Sequence, residues 1–162
     1  MNYLIIMVKL IAENIEEFLK ALGPSGHLIG LDLGTKTIGV AASDSTRTIA
    51  TPLCTIKRKK FANDLDEILT INSSYFFKGV VIGLPINMNG TEGPRCQSTR
   101  AFAIKLSKAM NLPIHLWDER LSTVAAEKIL IASDISRKSR SKVIDKIAAG
   151  YILQGCLDRL KN

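Results

Sequence analysis

Residues 28–44, LIGLDLGTKTIGVAASD, set one carboxylate, Asp32, inside an apolar run of strand type and follow it with Gly34-Thr35-Lys36. A strand of this composition, His27 to Leu33, is expected to be buried. Burying a bare carboxylate is costly unless a metal ion, a basic partner or a phosphate-bound cation offsets its charge. Thr37 to Ser43 then turns apolar again, so Gly34-Thr35-Lys36 reads as a tight hairpin turn. A chain with this signature must build a central strand that carries a charge beside a glycine turn, and chemistry is expected there.

The rest of the chain arranges itself around that hairpin. Ile49 to Ile56 reads as a third strand, followed by the basic run Lys57-Arg58-Lys59-Lys60 and a helix from Phe61 to Asn72 with Leu65, Ile68 and Leu69 facing inward. Gly79 to Leu84 is an unbroken apolar strand of the kind found in parallel sheets. A glycine- and asparagine-rich loop, Pro85 to Pro94, leads into a helix over Arg95–Met110 and a strand over Ile114–Trp117. Ser122 or Thr123 caps a further helix to Ala132. A polar basic loop spans Ser133 to Ser141, and a last helix spans Lys142 to Leu160. Strands joined by short turns run antiparallel, and strands joined through helices run parallel with right-handed crossovers. The expected fold is α/β and ribonuclease H-like, a five-stranded mixed sheet flanked by helices. Residues 1–25 read as an N-terminal helical extension, apolar at positions 11, 15, 18, 19 and 22 and stopped by Gly23-Pro24, with residues 26–162 as the domain. Glu13, Glu16 and Glu17 interrupt the first apolar run too early for a signal peptide or a membrane span.

With 162 residues, 46% of them hydrophobic, the chain can bury one core of ordinary size. The net charge of +7 is clustered at residues 57–60 and at Arg137, Lys138, Arg140 and Lys142, which suits a polyanionic partner, nucleic acid first. A solvated loop is the plainer account of either cluster. Cys54, Cys96 and Cys156 lack Cys-x-x-Cys spacing, which argues against zinc or a disulfide framework and fits a cytoplasmic protein. His27 and His115 stand far apart and are expected to be structural.

Ligands of open α/β sheets gather at the carboxyl ends of the parallel strands. Two further acidic sites can reach the place where Asp32 lies. Asp118-Glu119 ends the strand Ile114–Trp117, and Asp145 lies in the first turns of the last helix, with Ala148 and Ala149 allowing close approach to the sheet. Glu119 falls on the strand face opposite Ile114 and Leu116, which favours it over Asp118; Asp118 stays in reserve, as a capping or arginine-pairing residue otherwise. Asp145 also suits a plain helix N-terminal acid. Converging carboxylates repel one another unless divalent cations neutralise them. Magnesium or manganese takes oxygen ligands, and two such ions about 4 Å apart can activate water and stabilise the leaving oxygen of a phosphodiester.

Four ordered motifs, LDLGTKTIGVAASD, VIGLPINMNG, WDERLST and SKVIDKIAAGYIL, resemble those of the YqgF family. These small bacterial proteins are described as Holliday-junction resolvases or as nucleases that process the 5′ end of pre-16S ribosomal RNA. The resemblance spans roughly residues 27–160. It implies a ribonuclease H-like fold, a metal-dependent nuclease using Mg2+ or Mn2+, and Asp32, Glu119 and Asp145 as its catalytic and metal-binding residues. It also implies that Pro85, Asn89, Gly90 and Gly93 wall the site, with Arg95 and Arg100 near the phosphate and Lys36 and Arg120 as further nucleic-acid contacts. Arg137, Arg140 and Lys142, on a segment beyond the site, would touch the nucleic-acid backbone, without reading sequence.

Two other classes remain open on the residues alone. Asp-x-Gly-Thr at a strand turn also resembles the phosphate loop of actin-like ATP-binding phosphotransferases, but those need two such lobes and this length supplies one. A non-catalytic nucleic-acid-binding assembly factor would keep the fold without cleavage. A junction resolvase is expected to be a homodimer, whereas an RNA-processing nuclease can be a monomer.

Overall fold

A computed structural model describes residues 10–121 and 137–162, with side chains from 10 to 120 and from 143 onward. The described chain enters the sheet at once. Ile11–Ala12 forms a short strand, β1, and Ile15–Leu22 a helix, α1. Asn14 caps α1 by accepting from the Glu17 amide at 2.9 Å, while the Glu13 amide donates to the Glu17 carboxylate at 3.1 Å. There follow β2 (Leu28–Leu33), β3 (Thr37–Ser43), β4 (Ala50–Lys57), α2 (Phe61–Tyr75), β5 (Gly79–Leu84), α3 (Pro94–Met110) and β6 (Ile114–Asp118). A 3-10 turn at Glu119–Leu121 ends the first described stretch, and a long helix, α4 (Arg137–Leu160), forms the second. Among the described residues no helix is long and apolar enough to cross a membrane.

The strands form one six-stranded sheet in the order β1-β6-β5-β2-β3-β4. β2, β3 and β4 are antiparallel neighbours, and β2, β5, β6 and β1 are parallel. The fold is the expected mixed α/β sheet, with one strand more than the five read from the sequence. The sixth is β1, where Ile11 and Ala12 pair with Ile114 and His115. Ile11 sits at helical spacing from Ile15, Phe18 and Leu22, but the Asn14 cap closes the helix behind it and leaves it extended. Both sheet edges are blunted: β1 has two residues, and β4 carries Pro52 and a bulge where the register shifts against Val40 and Ala41.

Each face of the sheet holds its own core. On one, Ile29, Leu31, Leu33, Val80, Ile82 and Ile114 pack with Ile68 of α2 and with Phe102 and Leu106 of α3. On the other, Leu28, Ala41 and Val81 pack with Phe18 and Leu22 of α1 and with Ile152, Leu153 and Leu157 of α4. Arg47, at φ +57°, closes the end of α1 by donating to the carbonyls of Leu22, Gly23 and Gly26 at 3.1, 2.9 and 2.9 Å. Within α2, Ile68 is buried and Leu65 half-buried as expected, but Leu69, a 100° step around the helix, is 38% exposed. Helix α4 begins at Arg137, so residues 137–141 are helical where the composition suggested loop; the expected helix over 122–132 lies outside the described residues.

Candidate active site

Alternation along β2 sends Leu31 and Leu33 to the α2–α3 face and Asp32 to the α4 face, near the carboxyl end of the strand. The same parity on β6 directs Ile114 and Leu116 to the α2–α3 face and Trp117 to α4. Glu119 follows in the 3-10 turn on the α4 side. β5 lies between these two strands, and Gly83 is what lets the carboxylates meet. A Cβ at position 83 would fall 2.5 Å from Glu119 Oε1 and 2.9 Å from its Cγ. The Glu119 side chain therefore lies across bare backbone and hydrogen-bonds to Asp32.

The electrostatics follow from that contact. Asp32 is pushed from 3.8 to about 8, first by burial, then by the charge and hydrogen bond of Glu119, then by the charge of Asp145, with Arg95 opposing. Glu119 is also raised, chiefly by burial, while its bond from Asp32 and the charge of Arg95 pull it down. The pair thus shares a proton carried on Asp32, with Arg95 the cation acting on both groups.

Asp145 reaches the site on α4. Its carboxylate accepts from the Thr37 hydroxyl at the start of β3. Gly39, the β3 partner of Asp32, decides how near the helix comes: a Cβ there would lie 1.9 Å from the Asp145 carbonyl oxygen. The close approach rests on this strand glycine as much as on the buried Ala148 and Ala149 of the helix. Thr37, Gly39 and Gly83 were not singled out from the sequence; an interior strand glycine, a usual mark of close backbone approach, was the available signal. Of the two acids at the end of β6, Glu119 meets Asp32, whereas Asp118 forms an ion pair with Arg120 at 2.7 Å that holds it below the usual carboxylate range.

The cations divide in the same way. Arg95 donates to the Leu33 carbonyl at 3.3 Å and its charge acts on both Asp32 and Glu119. Arg100 is held by Glu92 at 2.5 Å in an exposed pair, and Arg120 by Asp118. Lys36 is exposed in the β2–β3 turn. Arg137, Arg140 and Lys142 fall in the first turns of α4, and their side chains lie outside the described residues.

The family model described as RuvX, Holliday junction resolvase, matches residues 26–159. The chain belongs to this family. A Cereibacter sphaeroides protein is 64% identical over 151 residues, covering 93% of this chain and 94% of that protein. A Ruegeria pomeroyi protein is 60% identical over 153 residues, covering 94% and 99%. Both carry the provisional name pre-16S rRNA nuclease. The RuvX-family chain is accordingly a hydrolase of the nuclease class. Among solved structures, Thermus thermophilus RuvC in complex with a Holliday junction substrate superposes with a TM-score of 0.52 at 11% identity, over 83% of this chain and 96% of that one. That likeness shows the ribonuclease H-like fold.

Among the described residues no group of three His, Cys, Asp or Glu side chains stands ready-made around one point, and the Asp145 carboxylate is engaged by Thr37. The donor chemistry nonetheless fits a hard divalent cation. Two touching carboxylates offer oxygen ligands only, and magnesium commonly takes one or two protein carboxylates and keeps water in its other positions. Burial and the neighbouring acids raise Asp32, and a bound cation would offset the charge they penalise.

Proposed function

We propose that this RuvX-family chain hydrolyses phosphodiester bonds in structured RNA, the 5′-extended precursor of 16S ribosomal RNA, using Mg2+ or Mn2+ held by Asp32, Glu119 and Asp145. The observation that carries the reading is the Asp32–Glu119 contact across Gly83, a deliberate crowding of like charge at the carboxyl ends of parallel strands. When bound there, a divalent ion supplies a water of lowered pKa and a counter-charge for the leaving oxygen. Asp32 and Glu119 would be the ligands that hold and orient such an ion, their shared proton being the charge it replaces. Thr37 fixes the Asp145 carboxylate, which would be the third ligand. Arg95, already acting on the carboxylates, steers the substrate phosphate toward them and stabilises its charge.

The relatives' names point to pre-rRNA, and the family model's description supports a second substrate, the four-way DNA junction. The RNA reading needs one active site; the junction reading needs two facing a symmetric substrate, hence a homodimer. Three free thiols suit work in the reducing cytoplasm, where both substrates occur. Labelled 5′-extended 16S precursor and a labelled four-way junction, incubated side by side with the protein and Mn2+ or Mg2+, test the choice. Cutting confined to the RNA is expected; paired symmetric nicks in the junction with intact RNA would assign recombination instead.

A further inference from the structure

Beside the carboxylates, on the opposite face of the sheet, lies a second feature that the nuclease reading does not use. A polar cavity of about 420 Å³ opens at the β2–β3 turn, walled by Gly34, Arg58, Lys59, Arg95, Ser98 and Thr99. Two of its guanidinium groups are pinned to consecutive carbonyls of that turn, Arg95 to Leu33 at 3.3 Å and Arg58 to Gly34 at 2.6 Å. Arg58 is steadied further by the Phe102 ring, 5.7 Å from its guanidinium carbon. An arginine that spends one N–H on a carbonyl keeps several donors for something else. No acidic side chain lines the cavity. Behind the wall the buried Asp64 lies 3.8 Å from Arg58 and also accepts from the Lys59 amide at 2.9 Å. Three cations therefore face this space, with Asp64 behind Arg58 and the charge of Arg95 shared with Asp32 and Glu119. A wall of cations that includes no acid suits an anion, and the hydroxyls of Ser98 and Thr99 suit a tetrahedral oxyanion.

The turn joins this cavity to the catalytic carboxylates, since Asp32 and Gly34 are two residues apart, and Arg95 serves both. We propose that the cavity binds a phosphodiester of the substrate strand next to the bond that is cut, with Arg58 and Lys59 as its phosphate-positioning residues. The proposal rests on the nuclease reading for the neighbouring carboxylates. Such a subsite holds the backbone in register over the carboxylates without reading base sequence. It also gives a function to part of the basic run at residues 57–60, which otherwise is a solvated patch.

The test reads binding without catalysis. Fluorescence anisotropy of a labelled 5′-extended 16S RNA fragment and of a labelled four-way junction is followed against salt concentration in EDTA. Lys59→Gln, at an exposed side chain, and Arg58→Gln should each weaken binding and lower the magnitude of the salt slope by about one. Arg58→Lys, which keeps the charge, should retain the slope, and Lys60→Gln, outside the cavity, should leave it unchanged. With metal, Lys59→Gln should raise KM and also lower kcat, as the phosphate is held less firmly in register, whereas Lys60→Gln should alter neither. An unchanged slope in Lys59→Gln, or an equal loss in Lys60→Gln, overturns the subsite in favour of a diffuse basic patch. Asp32→Asn, run in parallel, separates the two readings: if it cuts as well as the unaltered protein, the carboxylate reading fails while the salt slopes still decide the subsite.

Discussion

Replacing Asp32 by Asn should make the metal-free protein more stable at pH 7, against the usual outcome for an inward-facing polar position. In the folded chain this carboxyl titrates near 8 instead of 3.8, because burial and then Glu119 penalise its charge. A folded pKa raised above the unfolded one contributes stability that is full below pH 3.8 and is lost as the pH climbs through 8. At pH 7 the unfolded chain has released the proton and the folded chain still holds it. Folding must therefore take up a proton across about three pH units, which costs about 4 kcal/mol at 1.36 kcal/mol per unit. Water entering the site and adjustment of the coupled Glu119 reduce the measurable part to about 2–4 kcal/mol. Asparagine keeps the shape, carries no charge, and offers Glu119 an N–H in place of the carboxyl proton. For a domain of this size the gain corresponds to a melting point higher by about 4–16 °C. Urea denaturation of both proteins in EDTA at pH 4, 7 and 8.5 measures it. The difference should be close to zero at pH 4 and should grow to pH 8.5. A destabilised variant at pH 7, or one difference shared by all three pH values, would refute the electrostatic argument.

Gly39→Ala should cost stability near the upper end of the overpacking range, about 3 kcal/mol, because its Cβ meets the Asp145 backbone and α4 must move by about 1 Å. The same shift should lower cleavage by about 100-fold, seen as kcat at unchanged protein concentration. Arg47→Ala leaves three carbonyls at the end of α1 without their cationic donor and keeps a strained φ at position 47; a loss of about 2–3 kcal/mol in chemical denaturation is expected. Mn2+ or Mg2+ at millimolar concentration should raise the melting point of the unaltered protein, and more at pH 8 than at pH 6, because binding displaces the proton on Asp32. The rise should be absent in Asp32→Asn.

Much of this arrangement was legible in the residues. GVVIGL announced a buried parallel strand because it lacks any polar interruption, and Asp32 stood out because the strand around it has none either. Parity on β6 favoured Glu119 over Asp118, and the 3-10 turn that starts at Glu119 leaves its side chain on the α4 side over Gly83. What escaped were features made by distant pairs. β1 is two residues long and acquires its strand character from Ile114 and His115, a hundred residues away. Gly39 and Gly83 look like ordinary strand glycines until a helix backbone and a glutamate side chain are laid over them. Arg100 and Arg120 looked like free phosphate contacts because composition does not reveal the acids, Glu92 and Asp118, that engage them. The basic run at 57–60 suited a polyanion or a solvated loop equally, because the cavity that Arg58 and Lys59 line is completed by Arg95, a residue on another element.

Metal-dependent cleavage by the unaltered protein and by Asp32→Asn, Glu119→Gln and Asp145→Asn, each with Mn2+ and Mg2+ on the 5′-extended 16S precursor and the four-way junction, tests the central claim most directly. The account predicts that the unaltered protein cuts only when metal is present, and that each substitution reduces cutting by 100-fold or more while binding in EDTA persists. Cutting by the three variants at the rate of the unaltered protein would contradict it.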